Sequence, residues 1–207
     1  MKIKKSDSQT DNLIKVYKIF LCSAVLAVVL VALFGVLSSL NLADQKTYVS
    51  KSEQIKFPDY QPGELNQKQQ KIIEVLKTEW KNPGDGPKYA EGVRELWCAD
   101  FVSWVMRRAG MPFKNPNSGS WRIPGVYTLQ EYFSSVGAWR PYGKYQPKTG
   151  DIVIYKDDSI FGGHTNFVLL NQDGYLTTIG GNENKKILIQ RYKLDDTVGI
   201  KGFGELK

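Results

Sequence analysis

One thiol and one imidazole carry the most distinctive chemistry in this chain. Cys98 stands in the stretch Leu96-Trp97-Cys98-Ala99-Asp100-Phe101-Val102-Ser103-Trp104-Val105, and His164, the single histidine, lies 66 residues further on, after Gly162-Gly163. A thiol attacks a carbonyl as its thiolate, and a neighbouring imidazole favours that form by taking the proton and becoming its counter-ion. With one histidine in the chain, a base for Cys98 has to be His164. Each residue alone also has a plainer reading. A free cysteine often serves as a small buried apolar residue, and a histidine after two glycines can be an ordinary surface group. What joins the two is that each falls at the end of an element where a cleft would need it.

The elements follow from the apolar spacing. Phe101, Val102 and Val105 stand three, four and seven residues after Cys98, which predicts a helix over 96–109 with Cys98 at its start on the packing face and Gly110 as its stop. The unpaired N–H groups and positive dipole end of that helix favour a thiolate. Ile72, Ile73, Leu76 and Trp80 predict an earlier helix over 66–80, closed by Asn82-Pro83-Gly84-Asp85-Gly86-Pro87. Residues 114–123 read as a loop whose large aromatic is Trp121, placed either as a wall for a bound substrate or in the core. A third helix is expected over 126–134. After Gly150 short β-branched and aromatic runs take over, at 151–155, 165–170, 175–179, 186–192 and 198–203. Helices first and strands afterwards predict an α+β domain, N-terminal helices packed on a small antiparallel sheet.

A third group should hold the imidazole by its other nitrogen. Strands 164–170 and 175–182 are joined through Asn171-Gln172-Asp173-Gly174. A three-residue turn sets His164 opposite Asn182; a two-residue Asp173-Gly174 turn sets it opposite Glu183. Both residues are therefore candidates, and both are also plausible turn residues after Gly180-Gly181.

The N-terminal part differs in kind. No charged residue occurs between Lys18 and Asp44, and the 22 residues Ile19–Leu40 would make about 33 Å of helix, enough for a hydrocarbon layer of ~30 Å. Five lysines precede the run, which predicts a cytoplasmic tail (1–18), a transmembrane signal-anchor helix (19–43) and an exported remainder. The apolar run exceeds the ~7–15 residues of a cleaved signal peptide, and Asn41-Leu42-Ala43 is a poor cleavage site. Residues 44–65, with Pro58 and Pro62, read as a polar linker before a domain at 66–207. Cys22 falls within the apolar run, so Cys98 is expected to be a free thiol. The exported residues 45–207 hold 23 basic and 18 acidic side chains. That excess suits an anionic polymer or surface, but the charges are dispersed, without the aromatic-interleaved basic patch of a nucleic-acid binder.

Helix cysteine before strand histidine is the chain order of papain-like cysteine hydrolases. Trp97-Cys98-Ala99-x-Phe101-Val102-Ser103-Trp104, Gly163-His164-x-x-x-Val168 and Gly181-Asn182 together resemble the CHAP domain, the cysteine, histidine-dependent amidohydrolase/peptidase of the NlpC-type papain-like superfamily. The resemblance implies cleavage of amide bonds in bacterial peptidoglycan, with Cys98 as nucleophile, His164 as base and Asn182 as orienting residue. Many members carry an acidic residue two positions before the asparagine; here that position is Gly180, which leaves Glu183 as the alternative. Asp85, Glu91 and Glu95 form no recognisable calcium loop, and no metal or cofactor is expected. The expectation is a single-pass membrane protein with an extracytoplasmic amidase or endopeptidase domain. Three other readings remain: a non-catalytic wall-binding domain, an acyl transferase using the same thiol, and a secreted lytic effector whose apolar segment serves export alone.

Overall fold

The computed structural model describes residues 55–207, together with Tyr17, Lys18, Leu21, Val29, Val31 and Ala32, which are helical. The expected tail (1–18), transmembrane helix (19–43) and first part of the linker otherwise lie outside the described residues. Among the described residues no helix is long and apolar enough to cross a membrane.

Asn66 opens the first helix, α1 (Gln67–Lys81), with a reciprocal cap: its side chain accepts from the backbone of Lys68 and Gln69, and the Gln69 side chain accepts from the Asn66 N–H. One short turn follows, α2 (Gly86–Tyr89), started by Pro87. Helix α3 (Cys98–Arg108) begins at the cysteine itself, two residues later than its apolar pattern predicts, and stops at Gly110, whose φ is +77°. Helix α4 runs over Val126–Ser135.

Six strands form one sheet: β1 (Trp139–Pro141), β2 (Ile152–Tyr155), β3 (Thr165–Gln172), β4 (Tyr175–Glu183), β5 (Lys186–Lys193) and β6 (Ile200–Gly204). Their spatial order is β1-β6-β2-β3-β4-β5, and every neighbouring pair is antiparallel. Ile152, Ile154, Phe167, Leu169 and Ile179 face the helices and join Ile72, Leu76, Phe101, Val102 and Val105 in the main core. Val153, Tyr155, Val168, Leu176, Tyr192 and Phe203 face the other way, into a second cluster covered in part by Tyr142, Tyr145 and Phe161. Both faces are thus buried, which explains the near-continuous apolar run of β2. β1 was not foreseen: three residues ending in proline are too few for an alternating pattern and suit only an edge.

The linker reading of 44–65 needs correction over its second half. Phe57 is buried in the main core against Trp80, and the Tyr60 hydroxyl donates to the Leu169 carbonyl at 2.9 Å. The packed unit therefore takes in Phe57 and the residues after it rather than starting at residue 66. Isolated aromatic anchors in a Pro-containing extended segment produce no periodicity, so composition alone hides them.

Gly181 sets how closely β4 approaches α3. A methyl group there would lie 2.4 Å from Trp97 Cζ3 and 2.7 Å from Phe101 Cβ. Gly181→Ala is expected to destabilise the domain by about 2 kcal/mol, through overpacking against rings that are themselves buried, with a matching fall in the urea midpoint.

Candidate active site

Trp97 and Tyr89 stack with ring centroids 5.1 Å apart, and Phe101 meets the Tyr89 ring edge-on at 5.1 Å. This aromatic group fixes the start of α3, and Cys98 sits in it as a free thiol, 5% exposed. Cys98 is the first residue of the helix, so its own N–H lies among the orphan donors there.

His164 immediately precedes β3 and is 7% exposed, between Tyr155 (ring centroids 6.1 Å) and Phe161 (6.4 Å). Its Nε2 lies 3.2 Å from Glu183 Oε1. The Cys98 side chain faces the ring from α3 closely enough to raise its proton affinity. With Nε2 committed to Glu183, Nδ1 is the nitrogen left for the thiol. Burial by itself would make the imidazole a weaker base. The interactions with Cys98 and Glu183 outweigh it and bring the pKa up to about 9. The protonated ring is thus favoured, with the Glu183 carboxylate against its Nε2.

Of the two candidates for the third position, Glu183 makes the contact, and Asn182 has no hydrogen bond to His164. The route differs from both turn geometries. The hairpin closes through the two-residue turn Asp173-Gly174, pairing Gln172 with Tyr175. A bulge between Val168 and Leu170 then shifts the register, so that Phe167 pairs with Ile179. A second irregularity, between Gly180 and Glu183 against β5, puts Asn182 at φ +63°. That left-handed residue turns the chain so that Glu183 comes to the ring.

The loop after α3 is tied back to it. Ser103 Oγ accepts from the Ile123 N–H at 3.1 Å, and Arg122 Nε donates to Asp100 Oδ1 at 2.7 Å. Arg122 also pairs with Glu95. Trp121 lies over the Arg107 guanidinium, 4.5 Å from ring centroid to Cζ, near the far end of α3. No ring contact or hydrogen bond joins Trp121 to Cys98 or His164, so the structure gives the substrate-wall reading no direct contact. Asp100 is fully buried, and burial, reinforced by the Glu91 charge, pushes its carboxyl up to about 7. The Arg122 guanidinium is the counter-charge in contact with it. Arg122→Gln is expected to destabilise the domain by about 3 kcal/mol at pH 8 by stranding a buried carboxylate. Because the Asp100 pKa is raised, the loss should shrink as pH falls and the group is protonated; urea melts at pH 5 and pH 8 read this.

A cavity of about 290 Å³ is lined by Tyr127, Gln130, Tyr155, Lys156, Asp157 and Lys201 among others, and neither Cys98 nor His164 lines it. Among the described residues no three His, Cys, Asp or Glu side chains converge as a metal site would.

A helix-borne thiol, an imidazole at a strand start and a carboxylate behind it form a cysteine–histidine–carboxylate relay on an α+β scaffold. The CHAP domain family model matches residues 88–182, in line with the resemblance read from Cys98, His164 and Asn182. The match ends one residue before Glu183. Among solved structures the chain is similar to Ly7917 with the hydrolyzing product of MDP, at 14% identity and TM-score 0.43, covering 65% of this chain and 61% of that one. A second Ly7917 structure gives 12% identity and TM-score 0.44 at 65% and 61% coverage. PlyC gives 13% identity and TM-score 0.40, covering 74% of this chain and 43% of that one. This chain therefore spans about three fifths of Ly7917 and less than half of PlyC. No curated protein matches it.

Proposed function

We propose that this protein is a membrane-anchored, extracytoplasmic cysteine hydrolase that cleaves amide bonds of bacterial peptidoglycan. The observation that carries the reading is the His164 ring, with Glu183 Oε1 3.2 Å from its Nε2 and the Cys98 side chain at the start of α3 interacting with it. The CHAP domain match supplies the substrate class. The uncharged run over 19–40, with lysines before it, supports the anchor and its orientation.

In the mechanism, the Cys98 thiolate attacks an amide carbonyl carbon and a C–S bond forms. The Cys98 N–H, at the helix start, donates to the developing oxyanion. The His164 imidazolium gives its proton to the amide nitrogen as the C–N bond breaks, leaving a thioester and a free amine. Neutral His164 then takes a proton from water as the oxygen attacks the thioester. The C–S bond breaks, the acid product leaves, and the thiolate–imidazolium pair is restored. The bond is either the N-acetylmuramoyl–L-alanine amide or a peptide bond of the stem or cross-bridge.

The test is to incubate the full chain with isolated peptidoglycan and identify new termini by mass spectrometry, with and without an added amine acceptor. New muramoyl carboxylates mark an amidase and new peptide termini an endopeptidase. Products appearing only with the amine present point instead to acyl transfer, and no products on any wall type overturn the hydrolase reading.

A further inference from the structure

Glu183 is held at both oxygens. Oε1 accepts from His164 Nε2 and, at 2.8 Å, from Asn166 Nδ2, while Oε2 accepts from Gln190 Nε2. Asn166 is fully buried, one turn of the pleat beyond His164 on β3, and its Nδ2 also reaches Thr178 Oγ1 at 3.3 Å. Its Oδ1 has no hydrogen-bond partner. That oxygen lies only 1.7 Å from where a methyl group on Gly180 would be. The amide therefore occupies space that exists because residue 180 has no side chain.

We propose that Asn166 is a positioning residue, which fills the space left by Gly180 and holds the Glu183 carboxylate against His164. The inference rests on the cysteine-hydrolase reading of the site. A carboxylate at the end of a strand, beside a left-handed residue, has several rotamers open to it. Two amide donors from neighbouring strands select the one that meets the ring. The ionisable groups around the ring are Cys98 from α3, Glu183 from β4 and Tyr155 from β2, with Tyr192 of β5 behind Tyr155. Asn166 adds no titration of its own and acts through Glu183 alone.

The experiment uses the full chain carrying Cys22→Ser, so that Cys98 is the sole thiol, and follows its alkylation by iodoacetamide against pH. Asn166→Ala should slow that alkylation about tenfold at neutral pH, because the imidazole loses the carboxylate that supports its charge beside the thiol. Gly180→Ala, which expels the amide while leaving it in the chain, should slow it likewise. In a Glu183→Gln background, Asn166→Ala should change the rate less than twofold, since the group it positions has lost its charge. On peptidoglycan, kcat should fall about tenfold with KM unchanged. An unchanged alkylation rate accompanied only by a lower melting temperature would reduce Asn166 to a structural role and overturn the proposal, as would effects of Asn166→Ala and Glu183→Gln that multiply. Alkylation of the unsubstituted site no faster than that of a free cysteine overturns the hydrolase reading and this proposal with it. A slowed alkylation in a protein that cleaves no wall leaves the positioning intact and overturns only the substrate.

Discussion

Cys98→Ala is expected to lower the rate of peptidoglycan cleavage about 10⁴-fold or more while leaving the domain folded. The substitution removes one buried sulfur, a loss of roughly 1 kcal/mol of packing. It also removes the only atom in the site that can form the covalent intermediate. Cys98→Ser should be almost as inactive, because an alcohol gives up its proton far less readily than a thiol and is the poorer nucleophile. The rate of soluble fragment release, with a thermal melt of each variant, separates lost chemistry from lost fold. In the unsubstituted protein the same assay should hold its rate through neutral pH and decline above about pH 9, where His164 gives up the proton it needs for the leaving amine. Stability runs the same way. The folded-state pKa of His164 lies above its ordinary 6.5, so the contribution of the ion pair is complete below that pH and disappears as pH rises through about 9. A Cys98→Ala protein that retained more than a hundredth of the rate would remove the thiol from the mechanism.

Glu183→Gln should lower kcat/KM by about 10–100-fold and pull the alkaline limb of the pH profile downward by one unit or more. Glutamine keeps the shape and an acceptor oxygen but withdraws the charge that stabilises imidazolium, so His164 deprotonates earlier. The paired variant is Asn182→Gly. Asn182 lies at φ +63°, a conformation glycine adopts freely, and its side chain does not bond the ring. Asn182→Gly should therefore keep the rate within about threefold, whereas Asn182→Val should lose stability by 1–2 kcal/mol from backbone strain. If Asn182→Gly were the variant to lose the alkaline limb, the orienting role would return to Asn182.

The positions of Cys98 and His164 are readable in the sequence because their elements carry strong patterns. Helix α3 has its apolar stripe, and β3 and β4 have β-branched residues bounded by glycines. The α+β order follows from the same patterns, and α1, α3 and α4 fall within two residues of their expected ends. The third member of the site is harder to read, for a physical reason. Facing positions in a hairpin are counted from the turn, and one irregularity changes the count by one. Here there are two. Leu169 and Asn182 carry no mark distinguishing a bulge from a regular strand, although Gly180-Gly181-Asn182 is a composition that tolerates one. Asn166 left no signal at all, since a buried asparagine on a strand declares itself only when the residue across from it is seen to be glycine. Phe57 and Tyr60 escape a reading by periodicity, because single aromatic anchors leave no period to detect.

On the proposed mechanism, the 66-residue separation of Cys98 and His164 also sets when the chemistry begins. Helix α3 can form from local contacts, but the imidazole reaches the sulfur only after the β3–β4 hairpin has closed and docked on it. Contacts of such separation form late, because a long loop must close before they contribute anything. Until then the thiol has no imidazole beside it to take its proton. On the proposed mechanism, amide-cleaving power is withheld from the nascent or extended polypeptide and arrives with the completed tertiary structure, so topology itself acts as the safeguard.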